Sequence, residues 1–130
     1  MDPTLRFVDH KVLKTASGDD TFYTGYLDPK GSKHGPGRII YISSNEYQGS
    51  FDRGLKSGIG MFHYASNDSI YKGQWSQDLK NGKGKQVWTN GAWYDGDWKD
   101  NFKDGNGVIV FEDGNKYVGP WKKDKMNGVF

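Results

Sequence analysis

The side chains that could carry catalysis or hold a metal ion are few and scattered in this sequence. It has three histidines: His10, His34 and His63. None has a nucleophile or a second ligand at a recognisable spacing. The segment 82–85, Gly-Lys-Gly-Lys, lacks the rest of a phosphate-binding loop. We therefore expect no enzymatic activity, no catalytic residues, no metal site and no cofactor.

Two carboxylates, Asp95 and Asp97, stand two residues apart and would share one face of a strand, where such a pair can hold a cation. The equivalent positions elsewhere in the chain carry Gln48 with Ser50, and Lys72 with Gln74. A cation site would not be built in one copy of a pattern only, so a solvent-facing pair is the better interpretation.

The composition excludes several classes of protein. The 130 residues include 19 glycines and 20 aromatic residues, no cysteine, and a net charge of +2. Without cysteine there is no disulfide, iron–sulfur cluster or thiolate zinc site. Glycine is about double its usual share of about 7%, and the leading helix formers Ala, Leu and Glu are scarce. A charge of +2 is too small for strong phosphate binding, so no nucleic acid is expected.

The first residues, Met1-Asp2-Pro3, have neither the basic start nor the apolar stretch of a signal peptide. No 18-residue apolar run is present either. The expected location is cytoplasmic.

The glycines and rings belong to one repeat, Tyr-x-Gly-x-aromatic, whose tyrosines are spaced by 24, 24, 23 and 23 residues. The repeat positions, expected to be structural, are Tyr23, Gly25, Tyr47, Gly49, Phe51, Tyr71, Gly73, Trp75, Tyr94, Gly96, Trp98, Tyr117, Gly119 and Trp121. A Gly-x-Gly follows each of the first four copies, and an aromatic residue stands four positions later. This spacing predicts two short strands and two turns per repeat. A strand glycine beside a large ring leaves bare backbone on which the ring can lie.

These motifs resemble the MORN (membrane occupation and recognition nexus) repeat. The resemblance implies an all-β fold, an elongated, twisted, single-sheet ribbon of stacked β-hairpins. The units would be an N-terminal cap with a degenerate half repeat (1–22), then 23–46, 47–70, 71–93, 94–116 and a partial repeat 117–130. Residues 128–130 stand where the next Gly-x-Gly is expected. An unpaired strand 117–121 would leave an edge open to self-association.

Charge divides between the two ends of the hairpins. The predicted within-repeat loops, 28–35, 52–58, 76–82, 99–105 and 122–128, sum to +4, and the opposite turns to −5. We predict a basic edge formed by Lys30, Lys33, Arg53, Lys56, Lys80, Lys122, Lys123 and Lys125. It could serve solubility alone, or attract anionic lipid or an acidic protein surface. Interspersed aspartates weaken the lipid interpretation.

The face opposite the rings is predicted to carry an apolar stripe: Ile40, Ile42, Met61, Val87, Val108 and Val110. The stripe could reflect only the preference of Val and Ile for strands, or it could bind a helix or extended segment. The resemblance implies a non-enzymatic protein-interaction scaffold or spacer in a cytoskeletal or ciliary (axonemal) assembly. The alternatives are a peripheral module for anionic phospholipid at the cytosolic membrane face and an accessory domain of a larger enzyme.

Overall fold

The computed structural model describes residues 3–127, and over this range the chain forms one antiparallel sheet of eleven strands with no helix. Each strand pairs with the strands directly before and after it in the chain. The strands are β1 Arg6–Lys14, β2 Asp20–Leu27, β3 Lys33–Ile40, β4 Glu46–Asp52, β5 Leu55–Tyr64, β6 Ser69–Ser76, β7 Leu79–Val87, β8 Trp93–Lys99, β9 Phe102–Val110, β10 Lys116–Lys122 and β11 Lys125–Met126. The predicted all-β array of stacked hairpins is confirmed.

The hairpins closed after β4, β6, β8 and β10 have two-residue turns. In the turn Gln77-Asp78 both residues have positive φ, 51° and 70°, which is the type I′ conformation that matches strand twist. The turns at 53–54, 100–101 and 123–124 share it. The predicted long loops are therefore wrong, because β5, β7, β9 and β11 already begin at residues 55, 79, 102 and 125. The loop predicted at 28–35 likewise ends where β3 begins at Lys33.

The two glycines of each Gly-x-Gly have different reasons to be glycine. Between the register pairs Gly73–Gly84 and Trp75–Lys80, the strand β7 advances four residues while β6 advances two, which is a bulge. Gly82 lies in this bulge with φ of 98°, where L side chains are strained. Gly84 has no such φ, but a Cβ there would lie 2.2 Å from the Tyr71 hydroxyl oxygen.

A row of glycines crosses the sheet in direct register: Gly25, Gly37, Gly49, Gly60, Gly73, Gly84, Gly96, Gly107 and Gly119. The repeat tyrosines lie over this row, and those of the first four repeats are fully buried. Each tyrosine hydroxyl donates a hydrogen bond to the carbonyl three residues later; Tyr71, for example, donates to the oxygen of Gln74 at 2.8 Å.

Ring contacts join the repeats into one continuous chain. Edge-to-face contacts connect, in order, Tyr23, Phe51, Tyr47, Trp75, Tyr71, Trp98, Tyr94, Trp121 and Tyr117, with centroids 5.1–5.6 Å apart. The Trp75 indole also donates to the Gly60 carbonyl at 3.1 Å, and the Trp98 indole to that of Gly84 at 2.9 Å. Because these bonds link one repeat to the next, the core is shared rather than divided between hairpins.

The two ends of the described chain are strands of different length. The segment 1–22 was predicted as a cap, and β1 runs along β2 with a bulge between Val8 and Lys11. At the other end β11 pairs with two residues of β10, Trp121 and Lys122. Strand 117–121 was predicted to have an open outer edge; it pairs with β9 on one side, and on the other side, within residues 3–127, the strand pairing with β11 reaches only Trp121 and Lys122. The sequence prediction for residues 128–130 lies outside the described residues.

Candidate protein-binding surface

The face opposite the rings, here called the outer face, carries a row of apolar side chains across four strands. Ile70, Val87, Trp93 and Val110 stand in direct register on β6, β7, β8 and β9, and we call them the outer row. Ile70 is 37% exposed and Val87 42%, whereas Trp93 and Val110 are half-buried. The outer row is thus a continuous apolar strip on a face that has no second layer among the described residues.

The same register continues toward β1 but changes character. Next to Ile70 come His63 and Glu46, each held by a charged partner: His63 lies 3.0 Å from Asp68, and Arg38 pairs with Glu46. Beyond them the register becomes apolar again, at Ile40, Phe22 and Val12. The polar pair separates two apolar segments, of which the outer row is the longer.

Two lysines lie beside the outer row. Lys72 and Lys85 face each other directly across β6 and β7, one outward-facing position from Ile70 and Val87, and both are exposed. Within residues 3–127 neither has a carboxylate oxygen within 4.0 Å. The Lys85 ammonium lies 4.7 Å over the Trp93 ring. Like charges opposite each other destabilise a strand pair, so the placement of Lys72 opposite Lys85 works against the pairing of β6 with β7.

The predicted stripe falls on this face with one exception. Ile40, Val87 and Val110 share the register of the outer row, while Met61 and Val108 stand in the neighbouring register. Ile42 is wrong: β3 ends at Ile40, and Ile42 lies in the following turn, 70% exposed.

The outward-facing apolar residues that were missed include Phe22, Ile70 and Trp93. Each of these three directly precedes a repeat tyrosine, so strand alternation could have placed it on the outer face.

The residues of the predicted basic edge fall into two groups in the structure, one on the aromatic face and one near the turns. Lys33, Lys56 and Lys80 lie within strands on the aromatic face, not in loops, because the turns are two residues long. Lys103 occupies the equivalent position on β9 and was missed. Lys30, Arg53, Lys122, Lys123 and Lys125 remain near the turns and are exposed. Carboxylates accompany some of them: Arg53 lies 3.1 Å from Asp52, and Lys122 lies 3.9 Å from Asp104.

The lysines of the aromatic face cover the rings in place of a second layer. Lys80 lies 4.9 Å from the ring centroids of Tyr64, Tyr71 and Trp98 and donates to the Gln86 side chain at 3.1 Å. Such contacts combine cation–π attraction with burial of the aliphatic stem.

Burial lowers the pKa of the Lys80 ammonium to about 8, with Asp124 opposing and Lys103 adding to this effect. Lys56 and Lys103 instead have carboxylates at 3.5 and 3.4 Å, from Asp78 and Asp124. Asn101 stands at the corresponding turn position beside Lys80, where its side-chain oxygen accepts from the Lys80 backbone N–H. Of Lys56, Lys80 and Lys103, Lys80 is therefore the one whose ammonium has no carboxylate within 4.0 Å among the described residues.

Within residues 3–127 no group of three or more His, Asp or Glu side chains is arranged to hold a metal ion. The described part of the chain also contains no helix long and apolar enough to cross a membrane.

A sheet of β-hairpins repeated every 23 or 24 residues, with rings stacked on glycines, defines a β-hairpin repeat protein. The family model described as MORN repeat matches residues 47–69, 71–93, 94–116 and 117–129, well over half of the chain. The chain belongs to the MORN repeat family. Repeats of this family indicate an interaction or membrane-binding module and are typically non-enzymatic.

Among solved structures, the chain is similar to the TCP domain of SAS-4 (dCPAP) of Drosophila melanogaster, solved in complex with a proline-rich motif of Ana2 (dSTIL). The TM-score is 0.48 at 14% identity, and the match covers 83% of this chain and 62% of that one. This chain thus spans less than two thirds of that domain's chain. A comparison with curated proteins finds no match.

Proposed function

We propose that the chain is a non-enzymatic protein-interaction scaffold, whose sheet presents the outer row to a segment of another protein. The observation that carries this proposal is a row of four adjacent apolar side chains in register, two exposed and two half-buried, on a face that residues 3–127 leave uncovered. A cytoskeletal or ciliary assembly is the setting that the family resemblance favours. Microscopy of the tagged protein in cells, which shows where it is located, tests that setting.

The rigidity that a scaffold needs has a physical source in the core. The ring chain and the indole-to-glycine hydrogen bonds cross every repeat boundary from Phe51 to Trp121. Bending the sheet between repeats would therefore break ring contacts worth about 0.5–1.5 kcal/mol each. A sheet stiffened in this way holds its outer row in a fixed geometry.

Anionic lipid has less support as the ligand. Lys33, Lys56 and Lys80 contribute little to an electrostatic edge, since their ammonium groups lie over rings on the aromatic face. The cations that remain near the turns alternate with aspartates, so the edge has no patch of a single sign.

The test compares partner capture by three forms of the chain from native cells, read by mass spectrometry. The variant Val87→Lys with Val110→Lys places charge on the outer row and should lose the specific partner. The control, Gln48→Lys with Asn106→Lys, adds the same charge to the outer face outside the row and should retain it. Both variants are first checked by circular dichroism and urea unfolding.

Flotation with anionic vesicles at physiological salt runs in parallel. Vesicle binding without any protein partner would reverse the proposal in favour of a membrane module. Equal capture of the partner by the Val87→Lys, Val110→Lys form and by the unmodified chain would refute the role of the outer row.

A further inference from the structure

We infer that the segment that docks on the outer row is an amphipathic helix with two acidic residues beside its apolar stripe, held by Lys72 and Lys85. This inference rests on the proposed function and adds the conformation and charge of the partner. It follows from the spacing of the outer row and from the lysine pair next to it.

The spacing of the outer row fits a helix that lies across the strands. Neighbouring strands are about 4.8 Å apart, so successive side chains of the outer row repeat at that distance. A helix advances about 5.4 Å per turn, which brings one apolar residue per turn close to each of Ile70, Val87, Trp93 and Val110. A bound strand would repeat its apolar side chains about 6.7 Å apart along one face and would lose register after one pair.

The lysine pair sets the charge of the partner. Lys72 and Lys85 stand two residues along their strands from Ile70 and Val87, a lateral offset of about 6.7 Å that places them just beyond the half-width, about 5 Å, of a helix centred on the row. Two carboxylates one helical turn apart, on one flank of the apolar stripe, would reach one ammonium each. They would relieve the repulsion between two exposed lysines that have no acidic partner within 4.0 Å in the described chain.

The next position in the same register sets the order of the charges that the partner should carry from β6 to β8. Asp95 stands opposite Lys85 on β8, beside Trp93. From β6 to β8 the register therefore carries positive, positive and negative charge. The matching flank of the helix should carry acidic, acidic and then neutral or basic residues in successive turns, because a third carboxylate would face Asp95.

The probes are three fluorescein-labelled helical peptides that share one leucine stripe and differ only at two flanking positions one turn apart, which are Glu, Gln or Lys. Fluorescence anisotropy at physiological salt measures their affinity for the full chain. The Glu peptide should bind at least tenfold more tightly than the Lys peptide, with the Gln peptide between them. Lys72→Glu with Lys85→Glu should reverse this order, and Lys72→Gln with Lys85→Gln should abolish it; both variants alter exposed side chains.

Each failure has a separate meaning. Equal affinity for the Glu and Lys peptides, or an order unchanged by the double Glu variant, overturns the inference about the partner while leaving an apolar docking row. Absence of binding by all three peptides also overturns the inference. Unchanged binding of the Glu peptide to the Val87→Lys, Val110→Lys form overturns the proposed function as well.

Discussion

Replacing Gly60 with alanine should remove a tyrosine from the core without touching any tyrosine. A Cβ at this position would lie 2.2 Å from the Tyr47 hydroxyl oxygen and 2.4 Å from two carbons of its ring. A phenol ring cannot bend, so it must leave its place over the glycine pair. No positive φ contributes at Gly60, and the whole effect is therefore steric.

The cost of that displacement can be worked from the contacts of Tyr47. The side chain is 0% exposed, donates to the Ser50 carbonyl at 2.8 Å, and meets Phe51 and Trp75 edge-to-face. Loss of a buried aromatic side chain costs about 3–5 kcal/mol, and its hydrogen bond is worth about 1 kcal/mol. Some burial is regained as the ring settles elsewhere. We expect the free energy of unfolding to fall by about 3–4 kcal/mol, a large part of the 5–15 kcal/mol typical of a domain.

Equilibrium unfolding in urea, followed by tryptophan fluorescence, measures this loss, and two controls isolate its cause. Gly119→Ala meets the ring of Tyr117 at the milder distance of 2.9 Å and should cost less. In a Tyr47→Leu background the added methyl no longer meets a phenol ring, so Gly60→Ala should cost under about 1 kcal/mol. An equal cost in both backgrounds, or a loss below 1 kcal/mol in the unmodified chain, would refute the explanation of the glycine row.

Three further outcomes are expected. The folded-state pKa of Lys80 is lowered from 10.5 to about 8, so the unfolded chain binds more protons than the folded chain between these pH values. The free energy of unfolding should therefore rise by roughly 1 kcal/mol from pH 7 to 9. Urea titrations at each pH measure this rise, and Lys80→Met should remove it. Asn101→Asp should raise the Lys80 pKa and flatten the same profile, since it supplies the carboxylate that the neighbouring repeats have. Lys72→Glu should stabilise the sheet by about 0.2–1 kcal/mol by pairing with Lys85 and should weaken binding of the Glu peptide. A destabilised variant would contradict the repulsion inferred between Lys72 and Lys85.

The sequence was sufficient for the repeat, the hairpins and the pairing of rings with glycines, because each depends on strand alternation and a fixed period. The turns were misjudged because residues such as Gln77 and Asp78 carry no strong signal for positive φ, and the polar segment 76–82 looks like a loop. Because of that error, Lys56 and Lys80 were predicted in loops at a basic edge, whereas they lie in strands β5 and β7. Their placement over rings depends on bulge register, which composition does not reveal.

The division of the two faces explains why binding should be sought on the outer one. On the aromatic face most side chains find their partners within the sheet. Rings pack on glycines, tyrosine hydroxyls donate to backbone carbonyls, and Lys56 and Lys103 contact both rings and carboxylates. On the outer face Lys83 likewise has a partner within the sheet, since it forms an ion pair with Asp97. Lys72 instead faces Lys85, next to exposed Ile70 and Val87, and within residues 3–127 neither lysine has a carboxylate within 4.0 Å. Since the neighbouring repeats fold with Gln48 opposite Met61 and Asp95 opposite Val108 at these positions, the lysine pair is best explained by a surface that is completed by another molecule.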